Sequence, residues 1–270
     1  DGQGGGSRIE ATGANAAIFV AQANFRTGGA GGAGGSAFTD FSSAPAVGGR
    51  GGNGGGGQGG SIEVVAKDGA TVTLNAGPAG GPAIFSSTGT GGAGGRGADA
   101  DAPGAVGGDG GNGGGGAGGT VYLSAGGGTI TSNTVPLTVT VNGISGAAGD
   151  GGIGASGNGA AGSTAIDRGG LVLFEALAGT GGPGQINLGD TAIQANGGLA
   201  GRIEMRSGGV ISMNSLTAEA FGAATPTNNN TDVADAGIFF AAAGGSISTA
   251  GDMTLRTDGS FGTYAQAGGQ

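Results

Sequence analysis

Asp99, Asp101 and Asp109 come nearest to a reactive set in this 270-residue chain. Oxygen-rich loops of that kind suit calcium, but GGDGGNGGGG around Asp109 lacks the regular GGxGxDxUx spacing of calcium-binding nonapeptide repeats, so a solvated acidic tip is the expectation. Carboxylate catalysis would need several aspartates grouped on neighbouring parts of the fold. Asp68, Asp167, Asp190, Asp252 and Asp258 instead fall mainly beside glycine, where aspartate forms turns. The chain has no His and no Cys, which removes imidazole acid–base chemistry, thiol nucleophiles and the commonest zinc ligands. Lys67, the sole lysine, sits in a KDG corner and reads as solvated. GGAGG lacks the Gly-Lys-Ser/Thr and the following helix of a phosphate loop. Asn229-Asn230-Thr231 matches a glycosylation acceptor, a triplet short enough to arise by chance. The expectation is a protein that is not an enzyme, with no cofactor and no metal.

Composition points to an elongated object. There are 75 Gly, yet hydrophobic residues make up 36 % and charged residues only 10 %, unlike a solvated disordered tail. Large side chains are thinly spread in short clusters, which fits a narrow core. A net charge of −9, from 9 basic and 18 acidic residues, argues against nucleic acid and anionic lipid as partners. No run approaches the ~20 apolar residues of a membrane-spanning helix, and no signal segment is recognisable. Glycine-rich sequence at both ends is what a piece of a longer chain would show.

A repeat emerges once the glycine runs are set aside. SIEVVAKDGATVTL from Ser61, TVYLSAGGGTITS from Thr120, LVLFEALAG from Leu171, RIEMRSGGVISM from Arg202 and IFFAAAGGSIST from Ile238 share one pattern, with a shortened copy, SRIEATG, at Ser7. Apolar residues alternate and then meet a small one: Ile62, Val64, Ala66; Val121, Leu123, Ala125; Val172, Phe174, Ala176; Ile203, Met205, Ser207; Ile238, Phe240, Ala242. Period-two alternation predicts a strand with these side chains on one face. KDGA, GGG, SGG and AGG then supply positive-φ residues for a corner, and a second short strand follows. Val172 to Ile203 is 31 positions and Ile203 to Ile238 is 35, in the solenoid range. Strand, corner, strand, corner, third strand describes an all-β fold, a right-handed parallel β-helix of about five to six coils, roughly 25 Å long. Arg8 and Glu10 flank Ile9 as Arg202 and Glu204 flank Ile203, which predicts charged outward ladders of little energetic weight.

The glycine runs form paired arms inserted at one corner. GGRGGNGGGGQGG at 48–60 recurs as GGDGGNGGGGAGG at 107–119, each answering an earlier run across a tip, SAFTDFSSAPAV or ADADAPGAV. The arms span 28–60, 91–119 and, more weakly, 143–162, within one continuous β-helix over 1–270. A slack spacer would have no reason to keep a GGx triplet, whereas three residues per turn is the polyproline II repeat that glycine also adopts. An ordered polyglycine II-like lateral bundle, its backbone groups paired between neighbours, is therefore expected over a flexible spacer. Such arms resemble the polyglycine II bundles of antifreeze proteins and phage tail-fibre adhesins. The GGAGG runs also resemble mycobacterial PGRS proteins, which are not expected to carry such a developed strand repeat.

GGSIEVVAKDGATVTLNA, GGTVYLSAGGGTITS and AGRIEMRSGGVISMNSLTAEA resemble the repeats of the filamentous haemagglutinin-like family of large bacterial secreted adhesins, through a degenerate G-x-I-x-V-x-A-x-x-G-x-I pattern. About half the chain carries the resemblance, and the long arms depart from that family's short corners. It implies an extracellular or cell-surface shaft segment that associates with itself or continues into further repeats. The alternative is a glycan- or ice-binding module using the arm tips, with Phe38, Phe41, Asp99 and Asp101 as contacts, or a flat Thr-rich face.

Overall fold

A computed structural model describes residues 1–38, 47–75, 81–132, 135–222, 236–258 and 263–268. The architecture is all-β and parallel. The front sheet stacks Gly6–Thr12, Ser61–Lys67, Thr120–Gly126, Leu171–Gly179, Arg202–Ser207, Gly237–Ala243 and Thr263–Gly268 in chain order, each parallel to the last. Each return of the chain to this sheet completes one coil of a parallel β-helix. Six intervals of ~4.8 Å give a shaft about 29 Å long.

Alternation in the sequence becomes a stack of like residues because successive coils are in register. Ile62, Val121, Val172, Ile203 and Ile238 form one inward column, and Val64, Leu123, Phe174, Met205 and Phe240 the next. Across the core, Val72, Ile130, Ile186, Ile211 and Ile247 make a third. A fourth runs from Phe25 and Phe85 through Val139 and Ile193 to Ala218, large where the Val64–Phe240 column is small. That opposition keeps a narrow interior filled along its length. Phe25 and Phe85 meet edge to face at 5.4 Å.

The second and third strands of each coil share one sheet. In coils 1, 2, 3 and 6 they are separate, as in Thr71–Leu74 and Ala83–Thr90. In coils 4 and 5 they fuse into Gln185–Gln194 and Val210–Phe221, so the expected second corner is there not a break between strands. It survives as a phase shift: buried Ile211 and Met213 are followed by Leu216, Ala218 and Ala220, so the inward alternation slips by one residue between Met213 and Leu216. The first corner is sharper. Asp68 and Gly69 in KDGA, Gly127 in GGG and Gly244 in AGG all take positive φ. The SGG corner at Ser207 turns without one. Its Gly209 answers a different constraint, since a Cβ there would lie 2.2 Å from the Gly184 carbonyl oxygen.

The glycine runs leave the shaft after the third strand of coils 1, 2 and 3, at Asn24–Ala30, Ala83–Thr90 and Gly143–Ile144. Their feet are tied by a small parallel sheet of Gly2–Gln3, Gly57–Gln58 and Gly116–Ala117. Thr27 donates to the Ser87 hydroxyl, which donates to the Gly60 carbonyl, so even the buried polar groups at the base are satisfied.

Two substitutions test the columns. Phe174 is fully buried, and Phe174→Ala should lower the unfolding free energy by about 3–5 kcal/mol. Ser207 occupies the small-residue column of Ala66, Ala125 and Ala176, and its buried hydroxyl has no partner among the described residues. Ser207→Ala should therefore stabilise, by about 1 kcal/mol. Denaturant unfolding of both variants against the parent measures the two shifts.

Candidate interaction surfaces: the glycine arms and the outer face of the shaft

In each arm the backbone donates at every third residue, because an extended glycine chain with three residues per turn presents one N–H per turn to each side. In the outbound layer, Gly31, Gly34 and Ala37 donate to the carbonyls of Thr90, Ala93 and Arg96, and Gly91, Gly94, Gly97 and Ala100 to those of Ile144, Ala147, Asp150 and Ile153. The return layer repeats this: Gly48, Gly51 and Gly54 donate to Val106, Asp109 and Asn112, and Gly107, Gly110 and Gly113 to Gly157, Ala160 and Ser163. Both indices rise together in every case, so legs within a layer are parallel.

Between layers the indices run in opposite directions. Gly52 and Gly55 donate to Gly35 and Gly32, Gly92 and Gly95 to Gly55 and Gly52, and Gly111 and Gly114 to Gly95 and Gly92. Two parallel layers thus face each other antiparallel, and an interior leg is bonded on three sides.

This approach is closed to any side chain. A Cβ at Gly34 would lie 2.0 Å from the Gly52 oxygen, one at Gly94 2.1 Å from the Gly111 oxygen, and one at Gly95 2.1 Å from the Gly35 oxygen. The third residue of each triplet points outward, which is where the sequence places Arg50, Asn53, Ala93, Arg96, Asp109 and Asn112.

Those outward residues satisfy N–H groups that the ladders leave over. Asn53 Oδ1 accepts the Asn112 amide at 2.9 Å, and Asn112 Oδ1 accepts the Ser163 amide at 3.0 Å. Asp109 does the same for the Ala160 amide. Asp99 accepts the Ile153 amide at 2.7 Å and is clamped by Arg96. The Ile153 hydrogen bond, with Arg96 behind it, holds the Asp99 carboxyl below its ordinary value despite some desolvation. Asp99 and Asp109 therefore serve separate neighbouring legs, and Asp101 is exposed beside them. Among the described residues no three acidic side chains converge.

At the tips, Phe38 is 93 % exposed and Val47 75 %, while Phe41 lies outside the described residues. Val47 and Val106 are bridged in parallel, and Ile153 at the end of the third outbound leg is also exposed. The sequence singled out the phenylalanines and not these aliphatics. Their signal was the Ala-Val pair preceding each return leg. The Thr-rich face is smaller than expected. Thr71 and Thr73 stack on Thr129 and Thr131, but Gln185 and Asn187 continue those rows.

At the upstream end of the shaft the outward charges are the exposed pairs expected: Arg8 joins Glu10 and Glu63, and half-exposed Lys67 reaches Glu10 at 3.0 Å. Coil 5 departs from that pattern. Glu204 is only 8 % exposed, held between Arg202 at 2.9 Å and Arg206, while the Arg202 guanidinium lies 4.4 Å from the Phe239 ring centre. Flanking coils supply the cover, for Leu173 and Phe239 are the in-register neighbours of Glu204. Burial alone would push the Glu204 carboxyl up, but hydrogen bonds from Arg206 and Arg202 and their charges outweigh it and hold it down. Tyr122 on the same face donates to Glu175, and burial, then Glu175, raise its hydroxyl. Asp190, expected in a turn, lies within Gln185–Gln194 and accepts from Ser215, and Asp68 accepts from Thr180. No helix of the described residues is long and apolar enough to cross a membrane.

Two measurements follow from these geometries. Gly34→Ala should open the first arm and speed amide exchange at Gly52 and Gly55 about tenfold or more, equivalent to ~1.4 kcal/mol. Gly32→Ala, whose Cβ meets nothing within 4 Å, should leave them unchanged. For Glu204 the folded-state value lies below the unfolded one, so its stabilisation is present at neutral pH and lost as pH falls through the folded value. Glu204→Gln should cost about 2 kcal/mol at pH 7. Denaturation midpoints of parent and variant should draw together as pH falls through that folded value, beneath the ordinary glutamate range.

Comparison with protein-family models, with curated proteins and with solved structures found no match.

Proposed function

We propose that the chain is a non-enzymatic structural segment of an extracellular bacterial filament or giant surface adhesin, a β-helical shaft bearing a stiff lateral lobe of polyglycine II-type arms. One observation carries the reading: the three arms share a single hydrogen-bond lattice, at three-residue intervals, with the in-register coils at their feet. A lattice of that kind gives stiffness and a long, regular surface. Ordering so much glycine costs more backbone entropy than any other residue type, and an extended cooperative array offsets that cost where a catalytic loop of the same length would not. The acidic, histidine-free and cysteine-free composition agrees with a structural role.

A binding role for glycan or ice is the second reading, favoured by the exposed Phe38 and Val47 at the tips. Aromatic side chains presented on a rigid stem suit the apolar faces of sugar rings.

Electron microscopy of intact producing cells with antibody against an arm epitope separates these readings from others. The structural reading expects label along surface filaments with an axial spacing of ~4.8 Å. Label confined to the cell interior would overturn it. For the second reading, a glycan-array or ice-recrystallisation signal should appear and be lost in Phe38→Ala, and a blank result removes that reading alone.

A further inference from the structure

Coil 4 passes from Gln185–Gln194 to Arg202–Ser207 in seven residues and adds no leg beneath the third arm, yet the lattice has a place for one. On the outbound leg of the third arm, the amides of Ala148 and Gly151 have no acceptor among the described residues, whereas their counterparts Gly94 and Gly97 donate to Ala147 and Asp150. On its return leg, the carbonyls of Gly159 and Gly162 have no donor among the described residues, whereas their counterparts Gly108 and Gly111 accept from Gly152 and Gly149. One extended leg lying there, parallel to the outbound leg, would meet both amides and both carbonyls. The third outbound leg meets the second arm in just that way.

Three side chains stand in that place. In the first two arms, the return-leg residues whose amides point downstream are all glycine: Gly48, Gly51 and Gly54, then Gly107, Gly110 and Gly113. Each lies against the outbound leg of the next arm. A Cβ at Gly51 would lie 2.0 Å from the Gly95 oxygen, at Gly110 2.0 Å from the Gly149 oxygen, and at Gly113 2.1 Å from the Gly146 oxygen. The Asn112–Ser163 hydrogen bond, spanning 51 positions, sets the register of the third arm. In that register the same three positions are Asn158, Ala161 and Thr164, all exposed. Glycine is kept at Gly159 and Gly162, where a Cβ would lie 2.0 Å from the oxygens of Gly108 and Gly111. Within one leg, glycine is thus retained where a neighbour is already present and replaced where the next leg would come.

We propose that Asn158, Ala161 and Thr164 cap the arm bundle, excluding any fourth extended leg and making the three arms a closed unit. The inference rests on the ordered-arm reading given above. Unpaired amides and carbonyls on extended backbone are a template for addition of another chain, and edges are protected by side chains that deny the approach. Here the approach is so close that a Cβ alone is enough to deny it. A lobe capped in this way keeps its downstream edge from pairing with the glycine arms of neighbouring molecules.

Amide exchange in the 270-residue chain, with a synthetic GGAGGAGG peptide copied from 28–35, tests the cap. The variant carrying Asn158→Gly, Ala161→Gly and Thr164→Gly clears the place. Peptide in about tenfold excess over its dissociation constant should slow exchange at Ala148 and Gly151 about tenfold in that variant. The parent at the same peptide concentration should show no change. A second variant, Asn158→Gly with Thr164→Gly, keeps the Ala161 methyl at the centre of the place and should behave as the parent does. Slowing in the parent, slowing in the second variant, or none in the triple variant at any soluble peptide concentration would each overturn the proposal. Exchange at Gly92 and Gly95 separates the two levels. Protection there in the parent leaves the ordered-arm reading standing whatever the peptide does, whereas rapid exchange there defeats that reading.

Discussion

Everything in this molecule depends on one constraint: extended backbone has no hydrogen bonds of its own and must find partners at about 4.8 Å on the next chain segment. The shaft and the arms meet it in two ways. In the shaft, strands with side chains on both faces bond only to the coils above and below, leaving the faces for apolar packing and for charge. In the arms, glycine clears the face toward the opposite layer, so legs bond sideways as well as along the axis, and the hydrophobic core is replaced by a lattice of backbone groups.

The two lattices support each other through a common register. Val47 pairs with Val106 at an arm tip while Ile62 pairs with Val121 at the core, an offset of 59 positions in both places. The Asn53–Asn112 hydrogen bond keeps the same offset. An insertion or deletion in a single arm would therefore be felt at its own tip and foot together, which gives a physical reason for glycine segments to keep triplet spacing. The most enclosed outward charge lies in a coil without such an arm, where Glu204 is held by Arg202 and Arg206 and the next coil supplies Phe239 as cover.

Much of the architecture was legible in the chain itself. The alternation Ile62, Val64, Ala66 and its four later copies marks the front-sheet columns because a strand has a period of two and a stacked coil repeats it in register. GGx marks the arms because a leg of three residues per turn exposes every third side chain. Less legible were features created by neighbours distant in sequence. The fused strands of coils 4 and 5 look like two short strands, since Gly189-Asp190 and Asn214-Ser215, residue types that ordinarily mark a turn, stand at the change of burial phase. Glu204 looks solvated because the residues that cover it, Leu173 and Phe239, lie one coil away, as does Glu10, the partner of half-exposed Lys67.

Sequence by itself determined which segments form the front sheet, which of their residues face inward, where the first corner turns in most coils, and that the glycine runs come in pairs at one corner. Those are properties of local periodicity and of residue types that restrict or free φ. Only the tertiary structure decided which glycines admit no Cβ and which charges are covered. The reason is physical: each depends on how closely a second backbone approaches, and that distance is set by segments some 30 to 60 residues away.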